Sequence, residues 1–298
     1  MPRESAAYLV IGATGRIGRE VTNGLVDAGV PTHVLARAPE KARDLLGPAP
    51  QIVAGDLEDA PSLARSMAGI KAIYLASSVG ANLVEQHARV IAAAREAGIE
   101  HIVRVSTEGV EADVPMALAN WHRRGEADLE RSGLAWTHIR PCNFMHNMLT
   151  FAPTIATQRE IRAPFGRGRM ALVDVGDIAA VAVASLLKSE HRNRAYKVTG
   201  DDWLSYDDVA ATISDAIGSI VRYTPLSHGD ARQEMTAAGT PGWLADDLIR
   251  MYDLLARDTT APLTDVVRRI GGRTPLKFVD FARANAAAFL SPERPRHA

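Results

Sequence analysis

A chain of 298 residues can bury about three quarters of its unfolded surface, so one large domain, or a domain with a smaller companion, needs no covalent staple. A net charge of -1 supplies no field that would draw nucleic acid or an anionic membrane, and those partners are not expected. One cysteine, Cys142, excludes an intramolecular disulfide; with an N-terminus that lacks an apolar signal core and no apolar run near the ~20 residues that span a bilayer, the expected setting is reducing and cytoplasmic.

The pattern at 8–12 is a short apolar run closed by glycine. Apolar Ile17, Val21 and Leu25 follow at helical spacing, and Gly29 is placed to stop that helix. Thr32–Ala36, Gln51–Ala54, 72–76, His101–Val105 and 135–139 read as further strands. Helical patterns lie between them, notably over 82–97 and 120–131. Short apolar strands alternating with helices predict an α/β fold, a doubly wound parallel, Rossmann-like sheet covered on both faces.

After Pro141 the rhythm changes. Residues 143–172 read as helix and loop carrying Arg159, Arg162, Arg167 and Arg169. The chain returns to the sheet over 173–200, through a helix at 179–188 and a strand at 196–199. Residues 201–298 read as mainly helical with one strand at 220–224, and the Pro/Arg/His-rich end, 291–298, is expected to fray. This assigns 1–142, with 173–200, to a dinucleotide-binding domain, and 143–172 with 201–298 to a smaller, mainly helical substrate-binding domain.

The run Gly12-Ala13-Thr14-Gly15-Arg16-Ile17-Gly18 joins the first strand to the first helix. Glycine there permits a tight turn and close approach of backbone to a pyrophosphate, and the helix N-terminus offers free N–H groups to that anion. The second strand ends at Arg37, where an NAD-binding chain would carry an acid for the ribose 2′-hydroxyl. A guanidinium suits the 2′-phosphate of NADP(H), and Arg16 is placed to help. Asp56, in Gly55-Asp56-Leu57, reads equally as an adenine neighbour or as a cap for a helix beginning near Pro61. No Tyr lies between 75 and 195 and no Lys between 72 and 187, which excludes the Tyr-Lys proton-donor pair of classical short-chain dehydrogenases after the fifth strand.

With these residues the chain resembles the NmrA-like family of atypical short-chain dehydrogenase/reductases, which includes quinone, dye and isoflavone reductases and also redox-sensing regulators. The resemblance rests on 12–18, Arg37 and 55–59, on 132–141 ending Thr137-His138-Ile139-Arg140-Pro141, and on Asn143-Phe144-Met145-His146-Asn147. It extends through 173–179, 196–200 and 205–210, in order along nearly the whole chain. It implies that Gly12, Thr14, Gly15, Arg16, Ile17, Gly18, Arg37, Asp56 and Leu57 bind the cofactor, and that Ala76, Ser77 and Ser78 lie along it. Ser106 and Thr107 would sit near the nicotinamide ribose, and Pro141, Asn143 and Phe144 would line the nicotinamide and the substrate mouth. Isoflavone reductases place a Lys before the sixth strand; the matching position here is His122, a candidate proton donor or ribose ligand.

Cys142 reads as a buried small hydrophobe and Asp177 as the N-cap of the helix that follows it. The remaining histidines show no metal-ligand spacing, so no metal is assigned. The arginines at 159–169 read as a solvated loop in preference to a site for an anionic substrate group, and the apolar stripe over 243–255 as core or an oligomer contact, with a homodimer left open. The reading is an NADPH-dependent reductase of a small aromatic or conjugated carbonyl or quinone compound, the resemblance suggesting a role in bacterial secondary metabolism. Its rivals are a non-catalytic NADP(H) sensor and a non-redox isomerase on the same fold.

Overall fold

The computed structural model of the chain describes residues 7–78, 80–111, 115–257 and 262–293. They form two compact units. The first holds the chain through Pro141 together with Val175–Val198 and Val266–Thr274; the second holds Cys142–Asp174, Thr199–Asp265 and the chain from Pro275.

In the first unit, strands β1 (Ala7–Ile11), β2 (Thr32–Ala36), β3 (Gln51–Ala54), β4 (Ile70–Leu75), β5 (His101–Val105) and β6 (Ala135–Pro141) alternate with helices. The helices are α1 (Arg16–Asp27), α2 (Pro39–Leu46), α3 (Ala60–Ser66), α4 (Leu83–Glu96) and α5 (Ala117–Glu130). The strands, with Arg194–Val198, form one parallel sheet in the order Arg194–Val198, β6, β5, β4, β1, β2, β3. The order reverses at β1, which pairs with both β2 and β4. This is the doubly wound sheet expected from the alternation of elements.

Side chains alternate across each strand. Leu9, Ile11, Ile73, Leu75 and Ile102 meet Leu63 of α3, Val90 and Ile91 of α4 and Leu129 of α5 in one buried layer. The opposite face is covered by α1 and by the returning helix α7 (Val175–Leu187), which pack on each other at Gly24 and Val183. That helix begins two residues before Asp177. The predicted cap is therefore a fully buried first-turn residue, ion-paired with Arg273 at 3.0 Å.

The second unit is less helical than its sequence suggests. Within 143–172 the structure has strands β7 (Asn143–Phe144), β8 (Glu160–Ala163) and β9 (Arg169–Val173), a 3-10 helix at Met145–Phe151 and helix α6 (Ala152–Gln158). Arg162 and Arg169 are thus strand residues and not a solvated loop; Arg162 is held by Glu160 and Glu234. The reason is local alternation: Ile161 and Ala163 face inward while Glu160 and Arg162 face outward, a period too short to register against four arginines. Numbering on, Arg194–Val198 is β10, and β11 (Trp203–Ser205) extends the β9–β7 pair while β12 (Arg222–Pro225) joins β8. Helix α8 (Tyr206–Ile217) starts with a Ser205–Asp208 capping box. Its Tyr206 is buried with Phe165, Met170, Phe278, Phe281 and Phe289 in the core of this unit. Residues 294–298 of the end expected to fray lie outside the described residues. Among the described residues no helix is long and apolar enough to cross a membrane.

Candidate cofactor site and a buried polar network

The turn after β1 is closed by glycine in three dimensions. Gly12 has φ +87°, and a Cβ there would lie 2.4 Å from the Ala76 carbonyl oxygen. A Cβ on Gly18 would lie 2.1 Å from the Gly12 carbonyl oxygen. Only hydrogen fits between these backbones. The turn delivers the chain into α1, whose N-cap is Gly15; no side chain caps the helix and no acid occupies its first turn. The amide groups at this N-terminus and their partial positive charge are therefore directed at whatever anion approaches.

The residues around this N-terminus suit a phosphorylated dinucleotide. Thr14 is exposed, Ile17 is half-buried, and Arg16 is a half-buried guanidinium whose pKa is lowered by burial and by Arg19. Arg37 stands exposed directly after β2, with no ion-pair partner among the described residues. Two cations without carboxylates, beside an uncapped helix at the point where strand order reverses, fit a diphosphate and a further phosphate. Asp56 is not the helix cap: α3 is entered from Asp59, and Asp56 Oδ1 instead accepts the Glu58 amide at 3.0 Å. Leu57 follows it, half-buried.

Ala76, Ser77 and Ser78 continue β4, and the Ala76 amide donates to Ile11, which brings this segment against the glycine turn. Ser106, buried, and Thr107 continue β5, and Pro141 closes β6. Asn143 and Phe144 form β7 of the second unit, where Asn143 Oδ1 accepts from Asn147 at 2.6 Å. Cys142 is buried, as expected of a small hydrophobe.

His122 is placed differently from a proton donor. It is buried on α5, and its Nδ1 lies 3.2 Å from Nη2 of Arg104. Arginine only donates, so Nδ1 carries a lone pair. Burial, then Arg104, push the ring's pKa down to about 3, with Glu126 opposing. A ring so held is neutral and has no acidic proton to release near neutral pH.

The organising residue is Arg104, in the middle of β5 and fully buried. It shares the sheet face of Ile102, so its guanidinium enters between α4 and α5. Nε donates to His87 Nδ1 at 2.9 Å, and His87 Nε2 in turn lies 2.9 Å from Ser77 Oγ. Room for the guanidinium comes from Gly125, where a Cβ would lie 2.6 Å from Nη2. Burial lowers the Arg104 pKa to about 10, against the pull of Glu126 and Asp128, so it stays charged. The nearby Glu126 is engaged by Arg140, through Nε at 3.0 Å and Nη2 at 2.6 Å, and Arg140 also pairs with Glu111. Burial works against ionisation of Glu126, but the Arg140 hydrogen bonds prevail and its pKa is lowered. The fold also gathers Glu126, Glu130 and His138, which the sequence spacing does not link. Of the three, Glu126 is ion-paired with Arg140.

Sequence reasoning passed over Arg104, His87, Glu126 and Arg140. One signal was available: an arginine inside the apolar run His101–Val105 of a sheet covered on both faces requires polar partners from neighbouring helices.

A family model described as NAD(P)H-binding matches residues 12–189. An NAD(P)H azoreductase of Xenophilus azovorans is 38% identical over 281 residues, covering 94% of this chain and 98% of that protein. A (4-alkanoyl-5-oxo-2,5-dihydrofuran-3-yl)methyl phosphate reductase of Streptomyces griseus is 34% identical over 286 residues, covering 96% and 99%. The NADPH complex of the Escherichia coli quinone oxidoreductase QOR2 superposes with a TM-score of 0.85 at 25% identity, covering 93% and 99%. The chain belongs to the NAD(P)H-binding family. It is therefore an NAD(P)H-binding protein of oxidoreductase type, and the turn at 12–18 lies within the matched span.

Proposed function

We propose that the protein is an NADPH-dependent reductase of a small aromatic or conjugated compound, with an azo, quinone or carbonyl group as the acceptor. The observation that carries this reading is the uncapped N-terminus of α1 at the reversal of strand order, flanked by Arg16 and Arg37, which have no ion-pair partner among the described residues. Two relatives that are similar over nearly the whole chain are named as reductases, which supports turnover over mere binding.

Bound NADPH supplies the hydride. The chain's own residues do the rest. Gly12 and Gly18 let the backbone close on the diphosphate, with Thr14, Gly15 and Ile17 completing the turn. Arg37, helped by Arg16, meets the 2′-phosphate, and Asp56 and Leu57 flank the adenine. Ala76, Ser77, Ser78, Ser106, Thr107 and Pro141 stand at carboxyl ends of strands, where ligands of open α/β sheets bind, and Asn143 and Phe144 belong to the nicotinamide and substrate side. The reaction dispenses with a Tyr-Lys pair, and His122 serves as a fixed acceptor for Arg104.

The test is incubation with NADPH and a panel of azo dyes, quinones and conjugated carbonyls, following NADPH absorbance and product mass. Consumption of NADPH with products heavier by two hydrogens is expected. Bound but unconsumed NADPH across the panel would make the protein a sensor, and products isomeric with their substrates would make it a non-redox enzyme.

A further inference from the structure

The chain of contacts from Arg104 through His87 to Ser77 has a direction. Arg104 Nε can only donate, so His87 Nδ1 must accept, and the ring carries its proton on Nε2. Nε2 is 2.9 Å from Ser77 Oγ, so Ser77 accepts that proton. A hydroxyl that accepts from inside points its own proton elsewhere. Ser77 is half-buried, just beyond the carboxyl end of β4, and the proton is free to face a ligand there. His87 is 1% exposed, which shields both ring nitrogens from bulk solvent. Burial, then Arg104, hold the ring neutral, and the donor Nε of Arg104 fixes its tautomer.

The charge behind the chain also has a sign. Arg104 is a buried cation with no carboxylate in ion-pair contact among the described residues, and its Nη1 has no hydrogen-bond partner. Both histidines it touches are neutral acceptors. Hydrogen bonds in series polarise one another, so the Ser77 O–H is a stronger donor than an isolated serine. A preorganised donor backed by positive charge stabilises negative charge that develops where it points. A substrate that accepts a hydride gains such charge at its carbonyl or quinone oxygen, or at the second azo nitrogen.

We propose that Ser77 donates a hydrogen bond to the substrate atom that becomes negative during reduction, with its polarity set by His87 and Arg104 as positioning residues. This role rests on the reductase reading above. Solvent supplies the proton that completes the reduction, so Ser77 keeps its own.

The test compares Ser77→Ala, Ser77→Thr, His87→Gln and His87→Glu in NADPH-dependent reduction of an azo dye or a quinone. Loss of one such donor lowers kcat about 10²-fold, and Ser77→Ala is expected to do so while NADPH affinity, measured by calorimetry, falls far less than kcat. Ser77→Thr keeps the hydroxyl and restores most of the rate. The two His87 variants separate polarity from packing. Glutamate satisfies Arg104 but accepts from Ser77 and turns its proton inward, so kcat falls nearly as far as in Ser77→Ala. Glutamine accepts from Arg104 through one atom and donates to Ser77 through the other, and loses least. Should either His87 variant fail to fold, 15N NMR of the wild-type histidines decides, with an Nε2-protonated, Nδ1-accepting ring expected for His87. A full rate in His87→Glu, a Ser77→Ala defect confined to NADPH affinity, or an Nδ1-protonated His87 would overturn the proposal. A wild-type protein that reduces nothing overturns the reductase reading and this role with it, whereas an active wild type matched by Ser77→Ala overturns this role alone.

Discussion

Gly125→Ala gives the sharpest test of the network around Arg104. Gly125 lies inside α5, where alanine is favoured over glycine by about 1 kcal/mol, so helix propensity alone predicts stabilisation. The structure predicts the opposite. The added Cβ would lie 2.6 Å from Arg104 Nη2, 3.1 Å from Cζ and 3.3 Å from Nε. The guanidinium cannot retreat without stretching its bonds to His87 at 2.9 Å or His122 at 3.2 Å. A hydrogen bond from a charged donor contributes about 1.5–3 kcal/mol, so losing one outweighs the helix gain of about 1 kcal/mol and leaves a net cost of about 0.5–2 kcal/mol. With Arg104→Leu as background the obstacle is gone, and Gly125→Ala then stabilises by up to about 1 kcal/mol. The sign reverses, with a coupling of about 1.5–3 kcal/mol between the two sites. Urea unfolding of the four proteins, followed by circular dichroism near neutral pH, measures all terms. An alanine that stabilises the wild type, or that costs the same in both backgrounds, refutes the argument.

Other outcomes follow from the same geometry. Arg37→Asp weakens NADPH binding at least tenfold more than NADH binding, since one charge-assisted bond is lost and a like charge is introduced; equal losses by calorimetry would remove Arg37 from the 2′-phosphate. Gly18→Ala abolishes NADPH binding, because its Cβ meets the Gly12 carbonyl oxygen at 2.1 Å and backbone cannot step aside; retained nucleotide fluorescence enhancement would contradict this. His101, His122 and His138 are held by burial at about 4, 3 and 4, below the unfolded value near 6.5, so their neutral forms are the folded ones. Their stability contribution is complete above about pH 6.5 and is lost as pH falls toward those values, at about 1.4 kcal/mol per pH unit for each ring. Urea midpoints should therefore drop steeply between about pH 7 and about pH 5, and a flat profile there would show that these rings are not buried neutral.

The strands and helices of the first unit were legible because each obeys one rule along its length. His101–Val105 and Gln51–Ala54 read as strands from apolar, β-branched runs, and α1 reads as a helix from Ile17, Val21 and Leu25. The glycine turn was legible as well, since its demands on backbone are met by residue type at fixed spacing. The second unit was harder because its strands are short: β8 is four residues long, and β7 is two. Register with distant partners such as β12 stabilises them, and that information is not local.

The polar network was illegible for a different reason. Arg104, His87, His122 and Gly125 come from one strand and two helices, and no spacing in sequence relates them. Each taken alone violates a local preference: a charge in an apolar strand, imidazoles on buried helix faces and a glycine in a helix interior. Such violations are costly one at a time, and they are tolerated here because each supplies what another lacks. Gly125 gives volume to the guanidinium, the guanidinium gives donors to two rings, and one ring gives its proton to Ser77 at the end of β4. A fold that needed only stability would fill this space with aliphatic side chains, which replace buried charge at little or no cost. Broken local rules that converge on a strand end beside the cofactor turn are therefore better explained by what Ser77 presents to a ligand than by the stability of the sheet.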